Sequence, residues 1–119
     1  LAKAYAGISL AKLGRHEEAI PMLKAFRGND AMIAPSVLAA LGNCYAQVGD
    51  EAKAAATLVK AAHKADNNLL SPAYLIQAGQ IYEKLGKRGD ALKAYREIKE
   101  KYYGSMQAMD IDKYIERVK

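Results

Sequence analysis

The feature that most constrains this chain is a pattern of small residues that recurs three times. Residues 5–26, 40–61 and 77–98 align, and in each segment two glycines and one alanine correspond. The matching positions are Gly7, Gly42 and Gly79; Gly14, Gly49 and Gly86; and Ala19, Ala54 and Ala91. The offsets are 35 and then 37 residues at all three positions. A period of about 20 to 50 residues is the signature of a repeat architecture.

Each repeat predicts two helices that pack against each other. A large apolar residue lies three positions after the first glycine and shares its helical face: Leu10, Tyr45 and Tyr82. The second glycine suits a helix end in the left-handed conformation. In the second helix the alanine is small where two helices cross closely, and a large apolar residue follows four positions later: Leu23, Leu58 and Tyr95.

Composition supports an all-α fold. The chain has 23 alanines but only four valines and one threonine, and alanine favours helices whereas β-branched residues favour strands. We therefore expect one domain over residues 1–119, an all-α solenoid of three helix-turn-helix units at about 1–33, 35–68 and 72–104. A capping helix over 105–118 is expected to close the array, because the last repeat otherwise exposes its apolar side.

Charge and length set further bounds. The net charge is +5, but the lysines and arginines alternate with acids, as on a solvated surface. No run of apolar residues approaches the roughly 18 needed to span a membrane. The single cysteine, Cys44, excludes an internal disulfide. Because the chain starts at Leu1 in the middle of a helical pattern, we expect it to be part of a longer protein.

The glycine, aromatic and alanine positions resemble the tetratricopeptide repeat family. The tryptophan of that family is absent, and Lys3, Leu38 and Leu75 stand in its place. The resemblance implies a right-handed superhelix in which the first helices line a concave groove and the second helices form a convex back. It also implies binding of a peptide or protein segment without chemistry.

The ending KAYREIKEKYYGSMQAMDIDKYIERVK is similar to bacterial envelope members of the family that carry an amino-terminal membrane anchor, one group of which is ancillary to the secretion translocon. That similarity implies an envelope location on the periplasmic side, with an anchor upstream of Leu1. Without it, a cytoplasmic location is expected.

Helical phase predicts which residues face a ligand. These lie on the first helices, away from the glycine and tyrosine stripe, and combine apolar, amide and charged side chains: Ile8, Lys12, Asn43, Gln47, Ile76, Gln80, Glu83 and Lys84. Asn43 and Gln80 hold equivalent places in units two and three, where their amides can hydrogen-bond a peptide backbone. The expected partner is a protein or peptide.

Two other functions remain open from the sequence. One is single-stranded RNA binding by a related helical repeat, although the face concerned is rich in alanine and isoleucine and no nucleic-acid partner is expected. The other is self-association into a homo-oligomer through an apolar end near Leu1, Tyr5 and Ile8. No nucleophile–base pair, phosphate loop or metal-ligand spacing is recognisable, so the sequence predicts no enzyme, no cofactor and no metal.

Overall fold

The computed structural model describes residues 1–28, 30 and 33–119. Within this part of the chain all regular structure is helical. The α-helices are α1 (Ala2–Lys12), α2 (His16–Lys24), α3 (Ile33–Gln47), α4 (Glu51–Ala65), α5 (Ser71–Lys84), α6 (Arg88–Lys101) and α7 (Ile111–Val118), and a short 3-10 helix (Gln107–Asp110) precedes α7.

The helices pack in chain order. α1 and α2, α3 and α4, and α5 and α6 form three antiparallel hairpins, and the second helix of each hairpin also packs on the next helix along the chain. Contacts between neighbours in sequence are typical of a solenoid rather than of a bundle around one shared centre. The expected all-α helical-repeat fold is thus confirmed.

The turn inside each hairpin depends on glycine. Gly14, Gly49 and Gly86 have φ of 82°, 92° and 76°, which lie in the left-handed region that side chains disfavour. A Cβ at any of the three would meet no heavy atom within 4 Å. The requirement for glycine is therefore conformational, as the sequence predicted.

The first glycine of each hairpin serves a different purpose, which is close packing. A Cβ at Gly7 would lie 2.8 Å from Leu23, and one at Gly42 would lie 3.0 Å from Leu58. At Gly79 the approach is closer still, because a Cβ would lie 2.3 Å from the ring of Tyr95. The absent side chains let the two helices of each hairpin approach within contact of their large apolar residues.

The C-terminal segment is not one continuous α-helix over 105–118. Ser105 Oγ accepts a hydrogen bond from the Ala108 backbone N–H at 3.2 Å, and a 3-10 turn follows. Asp110 departs from helical geometry with φ of −110° and ψ of 6°, and the α-helix begins at Ile111. Three residues of α7, Ile111, Ile115 and Val118, are buried in the same cluster as α6 residues.

Candidate functional site

The first helices of the hairpins carry all eight groove residues that the sequence predicts. Five of these side chains are exposed: Lys12, Asn43, Gln47, Gln80 and Lys84. The other three are half-buried: Ile8, Ile76 and Glu83. Ile8 packs against the core of the first hairpin and Ile76 against that of the third, so both contribute to the fold as well as to the surface.

A groove of about 370 Å³ lies between α3 and α5. Gln77, Gln80 and Ile81 line it from α5, and Ala46 lines it from the end of α3. Lys84 Nζ donates to Glu51 Oε1 at 2.8 Å at one side of this groove, which ties the end of α5 to the start of α4. The groove thus combines two exposed amides, a small apolar floor and an ion pair.

The structure brings only some of the predicted residues together. Gln80 and Lys84 line the α3–α5 groove, whereas Asn43 and Gln47 are not among its lining residues. Gln47 borders a separate groove of about 420 Å³, next to Arg15 and Glu18 at the turn between α1 and α2. The predicted set is therefore distributed along the first-helix face instead of forming one site.

Glu83 is engaged by the C-terminal helix. Arg117 Nη2 donates to Glu83 Oε1 at 2.7 Å and Arg117 Nε donates to Oε2 at 2.9 Å. The hydroxyl of Tyr95 also donates to Oε1, at 2.5 Å. The hydrogen bonds from Arg117 hold the pKa of Glu83 below its ordinary value, and burial, with the neighbouring Glu83 carboxylate, raises the pKa of Tyr95. A ligand that needs the Glu83 carboxylate must displace Arg117.

A larger groove, of about 730 Å³, lies on the opposite side of α3, between α2 and α4. Its floor includes Leu38 and Leu41 of α3. Its walls are basic, with Lys24 and Arg27 on one side and Lys60 on the other. We call this the α2–α4 groove. It was not predicted from helical phase, because Leu38 and Tyr45 of its lining lie on the glycine and tyrosine stripe of α3 and its walls lie on second helices.

One sequence signal marks the α2–α4 groove in hindsight. In the repeat alignment, residues 26–28, Phe-Arg-Gly, correspond to residues 61–63, Ala-Ala-His. Glycine disfavours a helix and alanine favours one, and accordingly α2 ends at Lys24 whereas α4 continues to Ala65. The shorter second helix of unit one is what leaves space beside α3.

Cys44 is completely buried on α3, and burial raises the pKa of its thiol. A protonated, inaccessible thiol is a poor nucleophile. Over the part of the chain that the structure describes, no three His, Cys, Asp or Glu side chains cluster as metal ligands. None of the described helices is long and apolar enough to cross a membrane.

Comparison with known families matches residues 73–105 to the tetratricopeptide repeat. The comparisons with curated proteins and with solved structures give no match. The matched segment contains all but the first two residues of α5, the turn at Gly86 and the whole of α6. The resemblance drawn from the glycine, aromatic and alanine positions is thereby confirmed for the third unit, which is similar to the tetratricopeptide repeat.

Proposed function

We propose that this chain is a non-catalytic scaffold that holds an extended segment of another protein on the face formed by its first helices. Tetratricopeptide repeats in general are protein–protein interaction scaffolds. The observation that supports the site is the α3–α5 groove, where Gln77 and Gln80 are both exposed on one side of α5.

The spacing of these two amides suits a peptide backbone. Residues three apart on a helix have Cβ atoms about 5 to 6 Å apart, and alternate residues of an extended strand are about 6.8 Å apart. Each glutamine offers a donor and an acceptor, so Gln77 and Gln80 can pair with backbone groups of alternate residues. Each such bond contributes about 1 kcal/mol net.

The ion pair at the side of the groove adds rigidity. Glu51 is only 25% exposed and its position is held by Lys84, whose own side chain is 71% exposed. A groove whose walls are tied together before binding loses less conformational freedom when a ligand arrives. Because an ammonium has three N–H donors, Lys84 can also contact a carboxylate on the ligand.

The test uses a displayed library of peptides of about 12 residues, which extend to about 40 Å, comparable with the 41 Å long axis of the molecule. Selected peptides are titrated into the protein and into a Gln77→Ala/Gln80→Ala variant. We expect about thirtyfold weaker binding by the variant, since two hydrogen bonds of about 1 kcal/mol each are lost. Asn68→Ala removes an exposed amide from the connector before α5 and is the matched control.

Two outcomes would contradict this assignment of the site. One is a selected peptide that binds the double variant as tightly as the wild type. The other is a failure of any peptide to cause NMR shift changes around α3 and α5. Asn43→Ala then reports how far along α3 a bound peptide extends, because Asn43 is exposed but does not line the groove.

Self-association is a second candidate function, supported by apolar side chains on α1. Leu1 is 65% and Tyr5 57% exposed, and their spacing of four residues places them on one helical face. Sedimentation at increasing protein concentration tests this function. A monomer at all concentrations would exclude it, and a dimer that Tyr5→Ser dissociates would support it.

A further inference from the structure

The α2–α4 groove marks a difference between two equivalent places in the repeat. Leu38 of α3 and Leu75 of α5 occupy matching positions, 37 residues apart. Leu75 is completely buried in a cluster that includes Ala62 of α4. Leu38 is only half-buried and lines the groove.

The length of the second helices explains this difference. α2 ends at Lys24, and the equivalent position in α4 is Val59. α4 continues six residues further, to Ala65, and its last turns cover the start of α5. In the described part of the chain, no helical turn of α2 covers α3 in the same way. The apolar surface around Leu38 is therefore open to a partner.

The walls of this groove are rich in basic side chains. Lys24 and Arg27 stand on the α2 side, and Lys60, His63 and Lys64 stand on the α4 side. None of the described residues that line the groove is an aspartate or a glutamate. Lysine and arginine side chains around an apolar floor attract anions and raise their local concentration.

Two contacts orient the polar groups at the rim. Arg27 Nη1 donates to the Lys24 backbone oxygen at 2.8 Å, which fixes the guanidinium while its other N–H groups remain as donors. His63 Nε2 is hydrogen-bonded to Glu97 Oε1 at 3.1 Å. Glu97 of α6 therefore has its carboxylate paired with His63 at this rim.

We propose that the α2–α4 groove binds an acidic segment of a partner protein, with one large apolar side chain over Leu38 and carboxylates on Lys24, Arg27 and Lys60. The volume of about 730 Å³ lies in the usual range for ligand sites, about 300 to 1,000 Å³. This site lies on the opposite side of α3 from the groove of the proposed function and does not depend on it.

A protein segment fits the floor better than a nucleic acid does. The floor is mainly aliphatic, with Val37, Leu38 and Leu41, and aliphatic side chains accommodate a leucine or a phenylalanine from a partner. Among the described lining residues, the neutral hydrogen-bonding side chains are Thr57, Tyr45 and His63, and His63 is already paired with Glu97. A nucleic acid would therefore make few hydrogen bonds to its base edges here, although its phosphates could pair with the lysine and arginine side chains.

The test compares four sets of labelled synthetic peptides of about 12 residues, a length that extends to about 40 Å. The sets are acidic with leucine, acidic with serine in place of leucine, basic with leucine, and neutral with leucine. The first set should bind at least about tenfold more tightly than each of the others, because only it supplies both the charges and the apolar group. Higher salt should weaken this binding.

Variants then locate the binding. Lys24→Glu/Lys60→Glu should weaken binding of the acidic leucine peptides by about tenfold or more. The matched control, Lys3→Glu/Lys87→Glu, has the same net charge but changes exposed lysines outside the groove. Leu38→Gln should weaken binding by about tenfold, and Leu38→Met should preserve it, because methionine keeps the apolar contact. Circular dichroism of each variant verifies that the helices remain.

Four results would overturn the proposal. Equal losses for the two charge-reversed variants would show attraction to net charge alone. Acidic peptides that bind equally with and without leucine would show that the floor plays no part. A single-stranded oligonucleotide that binds more tightly than every peptide set would identify a nucleic-acid surface. NMR shift changes confined to Ala46, Gln77 and Gln80 would instead assign the acidic peptides to the groove of the proposed function.

Discussion

Arg117 of α7 donates two hydrogen bonds to Glu83 at the end of α5, with N–O distances of 2.7 and 2.9 Å. The guanidinium carbon of Arg117 also lies 4.9 Å from the centre of the Tyr114 ring. Glu83 in turn accepts a hydrogen bond from Tyr95, the largest fully buried side chain of α6. This one carboxylate therefore joins α5, α6 and the terminal helix.

Arg117→Met should lower the free energy of unfolding by about 1 kcal/mol near neutral pH, because it removes a bidentate ion pair but keeps an apolar stem. The value is modest because the Arg117 side chain is 50% exposed and water screens the pair. Urea unfolding measures the difference. Lys119→Met, which removes an exposed cation of the same C-terminal segment, should change the stability by less than about 0.5 kcal/mol.

The effect of Arg117→Met should also depend on pH. In the folded protein the hydrogen bonds from Arg117 lower the pKa of Glu83, so their stabilisation is present above the unfolded pKa of about 4.3. It is lost as the pH falls through the lower folded pKa. The wild type and the variant should thus converge in stability as the pH falls through the lowered pKa of Glu83. A constant difference across this range would show that Arg117 acts through packing alone.

Gly79→Ala should be the most destabilising alanine substitution among the three packing glycines. A Cβ at this position would lie 2.3 Å from Cε1 and 2.7 Å from Cζ of Tyr95, and that ring is completely buried. The ring cannot move away without breaking its hydrogen bond to Glu83. We expect a loss of about 2 to 3 kcal/mol in chemical denaturation.

The matched control for Gly79→Ala is Gly89→Ala. Gly89 lies in the first turn of α6, and a Cβ there would meet no heavy atom within 4 Å. Alanine should stabilise the helix at this position by about 0.5 kcal/mol. If the two substitutions had similar effects, close packing would not be the reason for glycine at position 79.

Local patterns were sufficient to predict the repeat. The recurrence of two glycines and one alanine at offsets of 35 and 37 residues predicted the hairpins, and the positive φ of Gly14, Gly49 and Gly86 follows from the same pattern. These features were predictable because each depends on residues close together in the chain. The steric requirement of a turn, or of a crossing between two helices, is met by a small residue at a fixed position, and that residue is visible in the sequence.

The surfaces were less predictable, because they depend on where helices end and on distant contacts. Helical phase placed Glu83 in the predicted groove, but its partner Arg117 is 34 residues away. The α2–α4 groove depends on α2 stopping at Lys24, which single-residue propensities do not fix because helix ends are the least reliable part of such a prediction. Repeat alignment identifies equivalent positions, and only the folded chain shows which of them are covered.

Ser71→Ala should destabilise the protein by about 1 to 2 kcal/mol. The hydroxyl of Ser71 is completely buried; it donates to the Ala62 backbone oxygen at 2.6 Å and accepts from the Asn67 backbone N–H at 3.1 Å. Alanine would leave both backbone groups without this partner at the junction of α4 and α5. Thermal and urea unfolding measure the loss.

Ser9→Ala is the control for Ser71→Ala, since Ser9 is exposed on α1 and its replacement should change the stability by less than about 0.5 kcal/mol. Equal effects of the two substitutions would mean that water replaces the Ser71 hydroxyl without cost.

Cys44 should react with a disulfide reagent only when the chain opens. Its side chain is completely buried, in a cluster with Leu23 and Leu41, and burial raises the pKa of the thiol. Both the low thiolate fraction and the lack of access slow the reaction. We expect the native protein to react at least about a hundredfold more slowly than the guanidinium-unfolded chain.

Leu23→Ala, which loosens this cluster, should increase the native rate because the reaction follows the population of the open state. A native rate that equals the unfolded rate, or that Leu23→Ala leaves unchanged, would show that Cys44 is reached without any opening of the first two hairpins.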